Sequence, residues 1–387
     1  MNTTTRIPRP RALRALAPAL LLVLSLLLPC GMAPEEALAA GRAAQSARAP
    51  APDGAEAAKS LEAAQAALDK GDYAAVIGLL SPLAEAGNAE ALYVLGRLRL
   101  EGKGVKKNEQ RAAQLFNQAA EKGDISAQNA WATALARGQG TRRNYLEAAR
   151  WFRKAAEQGL AEAQYNLGYL YAHGRGVKKD ENAALDWYGR AANQGLADAQ
   201  YSLGWTYLNA KGDNQSDTKA AHWFAKAAEQ DHLKAQNNLA FMYAEGRGFP
   251  QDAARAVQWY TRAAERGSPE AQYNLGFMYE QGRGVPQDYA RAVEWYRKAA
   301  EQNEAAAQFS LGLMYDQGTG VERNLTEATR WYRLAAKNGD PDAKAVLRAQ
   351  SAAAAPVVKS APKNSPKTPA RGKDAPKPRE AGTKKPQ

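Results

Sequence analysis

The feature that most constrains this chain is a repeat with a period of 36 residues. Residues 161–180 read AEAQYNLGYLYAHGRGVKKD, and residues 269–288 read PEAQYNLGFMYEQGRGVPQD. One alanine position and one tryptophan position recur at the same step: Ala91, Ala127, Ala163, Ala199, Ala235, Ala271, Ala307 and Ala343, and Trp151, Trp187, Trp223, Trp259, Trp295 and Trp331. Self-similarity at a period of about 20–50 residues is typical of a repeat architecture, in which units stack and no single round core forms.

The first half of each unit predicts a helix. In residues 161–173 the apolar residues Ala163, Leu167 and Leu170 lie on one helical face. Gly174 follows, and a glycine in the left-handed conformation can end the helix as a C-terminal cap. We refer to this segment as the first helix of a unit.

The second half of each unit predicts a second helix, with Asp180 as its N-cap and Gly195 just beyond its end. Gly168 of the first helix lets the partner helix approach to the usual separation of roughly 8–10 Å. We expect Trp187 of the second helix to fill the space opposite Gly168. The sequence therefore predicts an all-α solenoid of about seven helical hairpins. One hairpin alone buries too little apolar surface to offset the entropy of ordering it.

The first 39 residues have the pattern of an export signal. Four arginines precede the apolar run ALAPALLLVLSLLLPC, and Ala37-Leu38-Ala39 follows it. A basic region, an apolar region and an A-x-A site are typical of a secretory signal peptide, so we expect a periplasmic or secreted protein. An uncleaved membrane anchor is the first alternative and lipidation of Cys30 the second. If Cys30 leaves with the signal, the mature chain has no cysteine for a disulfide, a thiol nucleophile or a metal site.

Composition divides the chain into five predicted segments. They are a signal peptide (1–39), a disordered linker (40–54), a divergent N-terminal capping helix pair (55–87), a solenoid with a C-terminal capping helix (88–350) and a disordered Lys/Pro/Ala-rich tail (351–387). The tail holds seven Lys and two Arg against one Asp and one Glu, which gives it +7 of the formal net charge of +12. It is too poor in apolar residues to order itself.

The basic tail has two candidate roles. It could attract an anionic cell-envelope polymer through its charge, or it could act only as a solubilising tether. Nucleic acid is not expected as a partner, because the tail has no aromatic side chain on which a base could stack.

The motif A-x-A-Q-Y-x-L-G-x-x-Y-x-x-G-x-G-V, followed by A-x-x-W-Y-x-x-A-A-x-x-G, resembles the Sel-one-like repeat (SLR), a relative of the tetratricopeptide repeat. Seven copies are recognisable over about residues 88–340. The resemblance implies an α/α right-handed superhelix that acts as a scaffold or adaptor for other proteins. In bacteria such proteins are often exported, and some serve cell-envelope or polysaccharide assemblies. The unit at 197–232 departs from the motif at Ala210-Lys211-Gly212-Asp213, and we expect a looser or bent loop there.

The resemblance implies that the first helices line a concave groove, with two series of positions facing it. The 165 positions are Tyr93, Asn129, Tyr165, Tyr201, Asn237, Tyr273 and Phe309, and the 169 positions are Arg97, Thr133, Tyr169, Trp205, Phe241, Phe277 and Leu313. The candidate partner-binding residues among them are Tyr165, Tyr169, Tyr201, Trp205, Phe241, Tyr273, Phe277 and Phe309.

Residues four apart share a helix face, so we expect Tyr165 with Tyr169, Tyr201 with Trp205, and Tyr273 with Phe277 to form aromatic pairs. Such a stripe suits an apolar helix, an extended peptide or the face of a sugar. The alternative is that these rings only pack against neighbouring first helices. For the 165 positions we favour packing against neighbouring helices. For the more varied 169 positions, packing and partner binding are equally supported.

No set of residues predicts catalysis, because no nucleophile, base or metal ligands converge in sequence. His173, His222 and His232 lack metal-site spacing, and the Gly-Arg-Gly loops lack the Lys-Ser/Thr pair of a phosphate-binding loop. We therefore predict a non-enzymatic scaffold that uses no cofactor or metal and binds a protein partner.

Two other functions remain open. One is a hydrolase acting on cell-wall or β-lactam-like substrates, which the resemblance implies through cysteine-rich members of the family. The repeats of those members carry cysteine pairs, and the repeats of this chain carry none. The other is an anionic-polymer binder that acts through the basic tail.

Overall fold

The structure is a computed structural model that describes residues 54–210, 212 and 215–354. Within these ranges the chain forms 17 helices and no strand. They are α1 (Gly54–Asp69), α2 (Tyr73–Glu85), α3 (Ala89–Glu101), α4 (Glu109–Glu121), α5 (Ile125–Arg137), α6 (Tyr145–Glu157), α7 (Ala161–His173), α8 (Glu181–Asn193), α9 (Ala197–Asn209), α10 (Asp217–Glu229), α11 (Leu233–Glu245), α12 (Ala253–Glu265), α13 (Pro269–Gln281), α14 (Tyr289–Glu301), α15 (Ala305–Gln317), α16 (Leu325–Lys337) and α17 (Pro341–Ala354).

The predicted all-α repeat solenoid is confirmed. Helices α3 to α16 form seven hairpins, and each second helix also packs on the first helix of the next unit. The core is a series of clusters, each shared by neighbouring helices. Helices α1 and α2 pack together before the first hairpin, and α17 packs on α16 after the last.

Several predicted segments lie partly or wholly outside the described residues. These are the signal peptide at 1–39, the linker at 40–54 except for Gly54, and the tail beyond residue 354. Helix α17 continues to Ala354, four residues past the predicted end of the solenoid at residue 350.

The predicted caps bound the helices of the hairpins. Asp180 Oδ1 accepts a hydrogen bond from the backbone N–H of Ala183 at 2.9 Å and so satisfies a free donor at the start of α8. Gly174 has φ +63° and ends α7 in the left-handed conformation, with its N–H donating to the carbonyl of Leu170. Equivalent N-caps start the other second helices: Asn108, Asn144, Ser216, Asp252, Asp288 and Asn324.

A small residue on each first helix packs against an aromatic ring on the second. A Cβ on Gly168 would lie 2.8 Å from Cδ1 of Tyr188, so the ring needs the space that glycine leaves. The prediction that Trp187 fills this space is wrong. One residue turns an α-helix by about 100°, so Tyr188 points inward while Trp187 is half-buried and packs against the cluster formed by α5, α6 and α7. The inward rings are Phe116, Phe152, Tyr188, Phe224, Tyr260, Tyr296 and Tyr332, and all are buried.

The second glycine of the loop within a hairpin contacts the preceding hairpin. Gly176 has φ +69°, and a Cβ there would lie 2.2 Å from the carbonyl oxygen of Tyr145, the first residue of α6. Gly140 approaches Glu109 and Gly284 approaches Ala253 in the same way. The backbone of each such loop rests on the start of the previous second helix, and only a residue without a Cβ permits this approach.

The loop of the unit at 197–232 lacks this contact. Ala210 ends α9 with an extended backbone, at φ −61° and ψ 164°, instead of the left-handed cap. A Cβ on Gly212 would meet no atom within 4 Å among the described residues, which exclude Lys211, Asp213 and Asn214. The expectation of a looser or bent loop falls mainly on residues outside the described ranges and stays a prediction.

A buried glutamine joins three helices in most units. Gln272 of α13 is 5 % exposed, and its Nε2 donates to the carbonyl of Ala264 in the last turn of α12 at 3.0 Å. Its Oε1 accepts a hydrogen bond of 2.8 Å from Nε2 of Gln302, the residue after α14. The equivalent residues with both bonds are Gln164, Gln200 and Gln308.

Gln236 departs from this arrangement. The position equivalent to Gln302 is Arg266, which pairs with Asp231. Nε2 of Gln236 still donates to Ala228, but its Oε1 has no hydrogen-bond partner among the described residues. A buried acceptor without a partner costs stability.

We expect Gly276→Leu to destabilise the solenoid more than Gly276→Ala does. A Cβ at residue 276 would lie 2.8 Å from Cδ1 of Tyr296, and leucine adds three further carbons there. Alanine is tolerable because Ala240 already packs with Tyr260 in the preceding unit. Overpacking costs about 1–3 kcal/mol. Urea unfolding followed by circular dichroism measures both variants, and equal free energies of unfolding would contradict the role given to Gly276.

We expect Gln272→Ala to lower the free energy of unfolding more than Gln236→Ala, by about 1 kcal/mol. Both changes remove the same buried atoms and a bond to a helix carbonyl. Gln272→Ala also removes the hydrogen bond that its Oε1 accepts from Gln302, whereas Gln236→Ala removes an Oε1 that has no partner among the described residues. The same urea titration compares the pair, and a larger loss for Gln236→Ala would refute the arrangement.

Candidate partner-binding surface

The aromatic residues at the 165 positions pack across the hairpin. The ring centroid of Tyr165 lies 5.7 Å from that of Tyr188, and equivalent contacts join Tyr201 to Phe224 at 5.7 Å, Tyr273 to Tyr296 at 5.6 Å and Phe309 to Tyr332 at 5.6 Å. These four contacts run between the two helices of a hairpin, and Tyr201 also stacks on His232, the N-cap of α11. The predicted pairs between residues four apart, such as Tyr165 with Tyr169, are not formed.

The phenols at these positions also lie beside the next first helix. Tyr165 lies beside Ser202 of α9, and Tyr273 lies beside Ser310 of α15. Burial raises the pKa of Tyr201 and of Tyr273 to about 12. These contacts support the packing interpretation for the 165 positions. Phe309, at 7 % exposed, belongs to the core and offers little surface to a partner.

The aromatic residues at the 169 positions make fewer ring contacts than those at the 165 positions. Tyr169, Trp205, Phe241 and Phe277 are all half-buried. The Tyr169 ring contacts His173 at 4.1 Å between centroids, and the Arg175 guanidinium lies 5.3 Å from its centre. In the part of the chain that the structure describes, Trp205, Phe241 and Phe277 have no ring partner on a second helix. The rings at these positions are therefore partly exposed, while Trp205, Phe241 and Phe277 also pack against the apolar clusters of the core.

Acidic groups accompany these rings. From α7 to α15 the first helices hold one lysine, Lys234, and six acids: Glu162, Asp198, Glu245, Glu270, Glu280 and Asp316. Burial, reinforced by the nearby Glu270, raises the pKa of Glu304, the N-cap of α15. The first helices from α7 onward therefore combine half-buried aromatic rings with negative charge.

His232 is held in a single tautomer by its two contacts. Its Nδ1 accepts a hydrogen bond from the Ala235 N–H at 3.1 Å, which assigns the proton to Nε2, 3.3 Å from Oδ1 of Asp198. Its ring also stacks on Tyr201 at 4.7 Å. The hydrogen bond from His232 lowers the pKa of Asp198. This histidine caps α11 and joins two units.

The three histidines lie apart, on α7, on α10 and before α11. Within the described ranges, no group of three or more His, Cys, Asp or Glu side chains is placed to hold a metal ion. No helix in the same ranges is both long enough and apolar enough to cross a membrane.

Two sets of residues with a structural role escaped prediction from the sequence. They are the buried glutamines and the second loop glycines that rest on the preceding hairpin. A signal for both was present, since the glutamine of A-x-A-Q and the second glycine of G-x-G recur at the repeat period. The contact of each second loop glycine lies 31 residues back along the chain and has no local pattern.

The chain was compared with protein families and with known proteins. The Sel1 repeat model matches seven consecutive segments: 89–124, 125–160, 161–196, 197–232, 233–268, 269–304 and 305–340. The search of curated proteins gave no match.

Two solved structures are similar over most of the chain. A protective antigen of uropathogenic Escherichia coli strains, which displays an SLR fold, is 33% identical with a TM-score of 0.67. The alignment covers 78% of this chain and 67% of the antigen. A Sel1 repeat protein from Oxalobacter formigenes is 31% identical with a TM-score of 0.59, over 76% of this chain and 93% of that protein.

We expect the free energy of unfolding to fall as the pH rises above 10. An unfolded phenol has a pKa of about 10, whereas burial raises the pKa of Tyr201 and Tyr273 to about 12. The unfolded chain therefore loses these protons first, so stability that is fully present below pH ~10 declines towards pH ~12. Thermal unfolding across this range measures the decline. Tyr201→Phe should reduce it, and Tyr289→Phe, at an exposed tyrosine, should not. A decline identical in both variants would contradict the assignment.

Proposed function

Because the chain belongs to the Sel1 repeat family, whose repeats generally form scaffolds for protein–protein interactions, we propose that it is an adaptor that binds a protein partner along its first helices. The observation that carries this proposal is the aromatic surface of Tyr169, Trp205, Phe241 and Phe277, with rings half-buried on successive first helices. Aromatic side chains supply large contact areas at low entropy cost, and they are enriched among residues that dominate binding.

The acidic groups on the same helices indicate the chemistry of the partner. Glu162, Asp198 and Glu270 are exposed beside the aromatic positions. A complementary partner presents an apolar side chain to each ring and Lys or Arg to the carboxylates. An amphipathic helix or an extended segment with both residue types fits this surface. Tyr165, Tyr201 and Tyr273 lie next to this surface and pack on the inward rings of the second helices. Phe309 belongs to the buried core.

We place this adaptor outside the cytoplasm, in cell-envelope processes. The support is the N-terminal pattern of four arginines, an apolar run and Ala37-Leu38-Ala39. An uncleaved N-terminal anchor is the alternative. The similar Escherichia coli protein is a protective antigen.

Two other functions are retained as alternatives. For a hydrolase of cell-wall or β-lactam-like substrates, turnover by the purified chain is the test. For an anionic-polymer binder that acts through the tail, removal of residues 355–387 should abolish polymer binding. The adaptor is favoured over the hydrolase because the described residues that line the first helices include no converging nucleophile and base.

We expect Trp205→Ala combined with Phe277→Ala to weaken partner capture about tenfold or more, since truncation of an aromatic anchor typically costs above ~1 kcal/mol. The measurement is a quantitative cross-linked pull-down from native envelope, with circular dichroism to show that the variant stays folded. The matched control is Leu146→Ala, because Leu146 is an apolar residue on a second helix and is 57 % exposed. Capture that is unchanged in the double variant would remove the first-helix surface as the binding site.

A further inference from the structure

The loops within the first three hairpins carry a concentration of positive charge. These loops are residues 102–108, 138–144 and 174–180, and we call their cationic side chains the basic ridge. The ridge consists of Lys103, Lys106, Lys107, Arg142, Arg143, Arg175, Lys178 and Lys179, all of them exposed. The equivalent loops at 246–252, 282–288 and 318–324 carry one arginine each and at least one acid in every case.

Most of the ridge is not neutralised by neighbouring acids. Lys103 pairs with Glu101 at 2.7 Å, and Lys107 pairs with Glu109 at 2.9 Å. Within the described part of the chain, the cations without an acidic partner are Lys106, Arg142, Arg143, Arg175, Lys178 and Lys179. Cations that are not paired with acids leave a positive electrostatic potential, which attracts an anionic ligand.

The later loops use their charge internally. Arg247 makes two hydrogen bonds to the carboxylate of Asp217, at 2.9 and 2.8 Å, and Arg283 pairs with Glu245 at 3.1 Å. Both arginines occupy the position of Arg175 one or more units further on. The early loops therefore carry more cations than the late loops, and fewer of those cations are paired with acids.

Contacts between units hold the ridge in a fixed register. Gly140 and Gly176 rest on the starts of α4 and α6, so the second and third loops are each seated on the hairpin before. Nε2 of Gln139 donates to Glu109 at 3.2 Å across the first of these contacts. Across the second, the guanidinium groups of Arg143 and Arg175 lie 5.7 and 5.6 Å from the centre of the Tyr145 ring.

We propose that the basic ridge is a binding site for a linear acidic polysaccharide, with its carboxylate or sulfate groups on the lysines and arginines of successive loops. A stiff polymer with regularly repeated charges loses little conformational entropy when it spans three sites that are already fixed. Arginine and lysine are the side chains that bind such anions through charge-assisted hydrogen bonds. The ridge lies on the loops and adjoins the aromatic first-helix surface where Arg175 approaches Tyr169. The inference rests on the charges of the loops, so it does not depend on the proposed protein partner.

The surroundings of the ridge do not favour other polyanions. Base stacking needs an open aromatic face, and the rings beside the ridge, Tyr73, Tyr145 and Tyr169, are each approached by a cation of the ridge. Insertion into a lipid surface needs several exposed apolar side chains, and the ridge has beside it one exposed large apolar residue, Leu146, among the described residues.

The test compares two variants of the full chain that remove equal charge. Lys106→Gln, Arg142→Gln, Lys178→Gln and Lys179→Gln together remove four unpaired cations of the ridge. The control carries Arg333→Gln, Lys337→Gln, Lys344→Gln and Arg348→Gln, four exposed cations near the other end of the solenoid. Both variants retain the basic tail, so its attraction for polyanions is common to them. Biolayer interferometry measures binding to immobilised polygalacturonate and heparin over a range of salt concentrations.

We expect the ridge variant to bind either glycan about tenfold or more weakly than the natural chain, with a shallower dependence of affinity on salt. The control variant should stay within about twofold. Equal losses in the two variants would overturn the proposal, because attraction by net charge would then explain binding. A ridge-dependent affinity that is higher for duplex DNA, polyglutamate or phosphatidylglycerol vesicles than for the glycans would also overturn it.

Discussion

The contact between a small residue on one helix and an aromatic ring on the next determines the geometry of every hairpin. Gly168 and Tyr188 show it most directly, since the ring occupies the space of the absent Cβ. The rings at the 165 positions pack on these inward rings. The shape of the first-helix surface therefore depends on packing inside the hairpin. A change inside the hairpin is thus also a change of the surface that we assign to partner binding.

Neighbouring hairpins are joined by polar and backbone contacts as well as by apolar ones. Gln272 links the last turn of one second helix to the residue that follows the next second helix. The loop glycines add a second junction at the opposite ends of the helices. Since each unit touches its immediate neighbours, stability is approximately a sum of unit terms and junction terms. Junctions that lack one of these contacts, such as those at Gln236 and Gly212, are expected to be weaker than the others.

Much of the fold could be predicted from the sequence because its signals are local and repeated. Helix caps such as Asp180 and Gly174 depend on residues a few positions away, and the apolar spacing identifies the buried faces. The sequence analysis assigned the inward ring to Trp187, but the inward ring is Tyr188. The two residues are adjacent, so their side chains point about 100° apart around the helix, and only packing decides which of them faces the partner helix. The aromatic pairs along the first helix were wrong for a related reason. Rings such as Tyr165 pack on the inward ring of the second helix, here Tyr188, and the sequence carries no local signal for this contact.

The contacts that hold the units together all span fixed distances along the chain. The glutamine reaches a carbonyl eight residues back and a donor 30 residues ahead, and the loop glycine reaches 31 residues back. An insertion of a few residues within a helix changes every offset that spans it. Duplication or loss of a complete 36-residue block preserves the offsets. Genetic recombination between repeats can therefore lengthen or shorten such a protein without changing the spacing of these contacts along the chain.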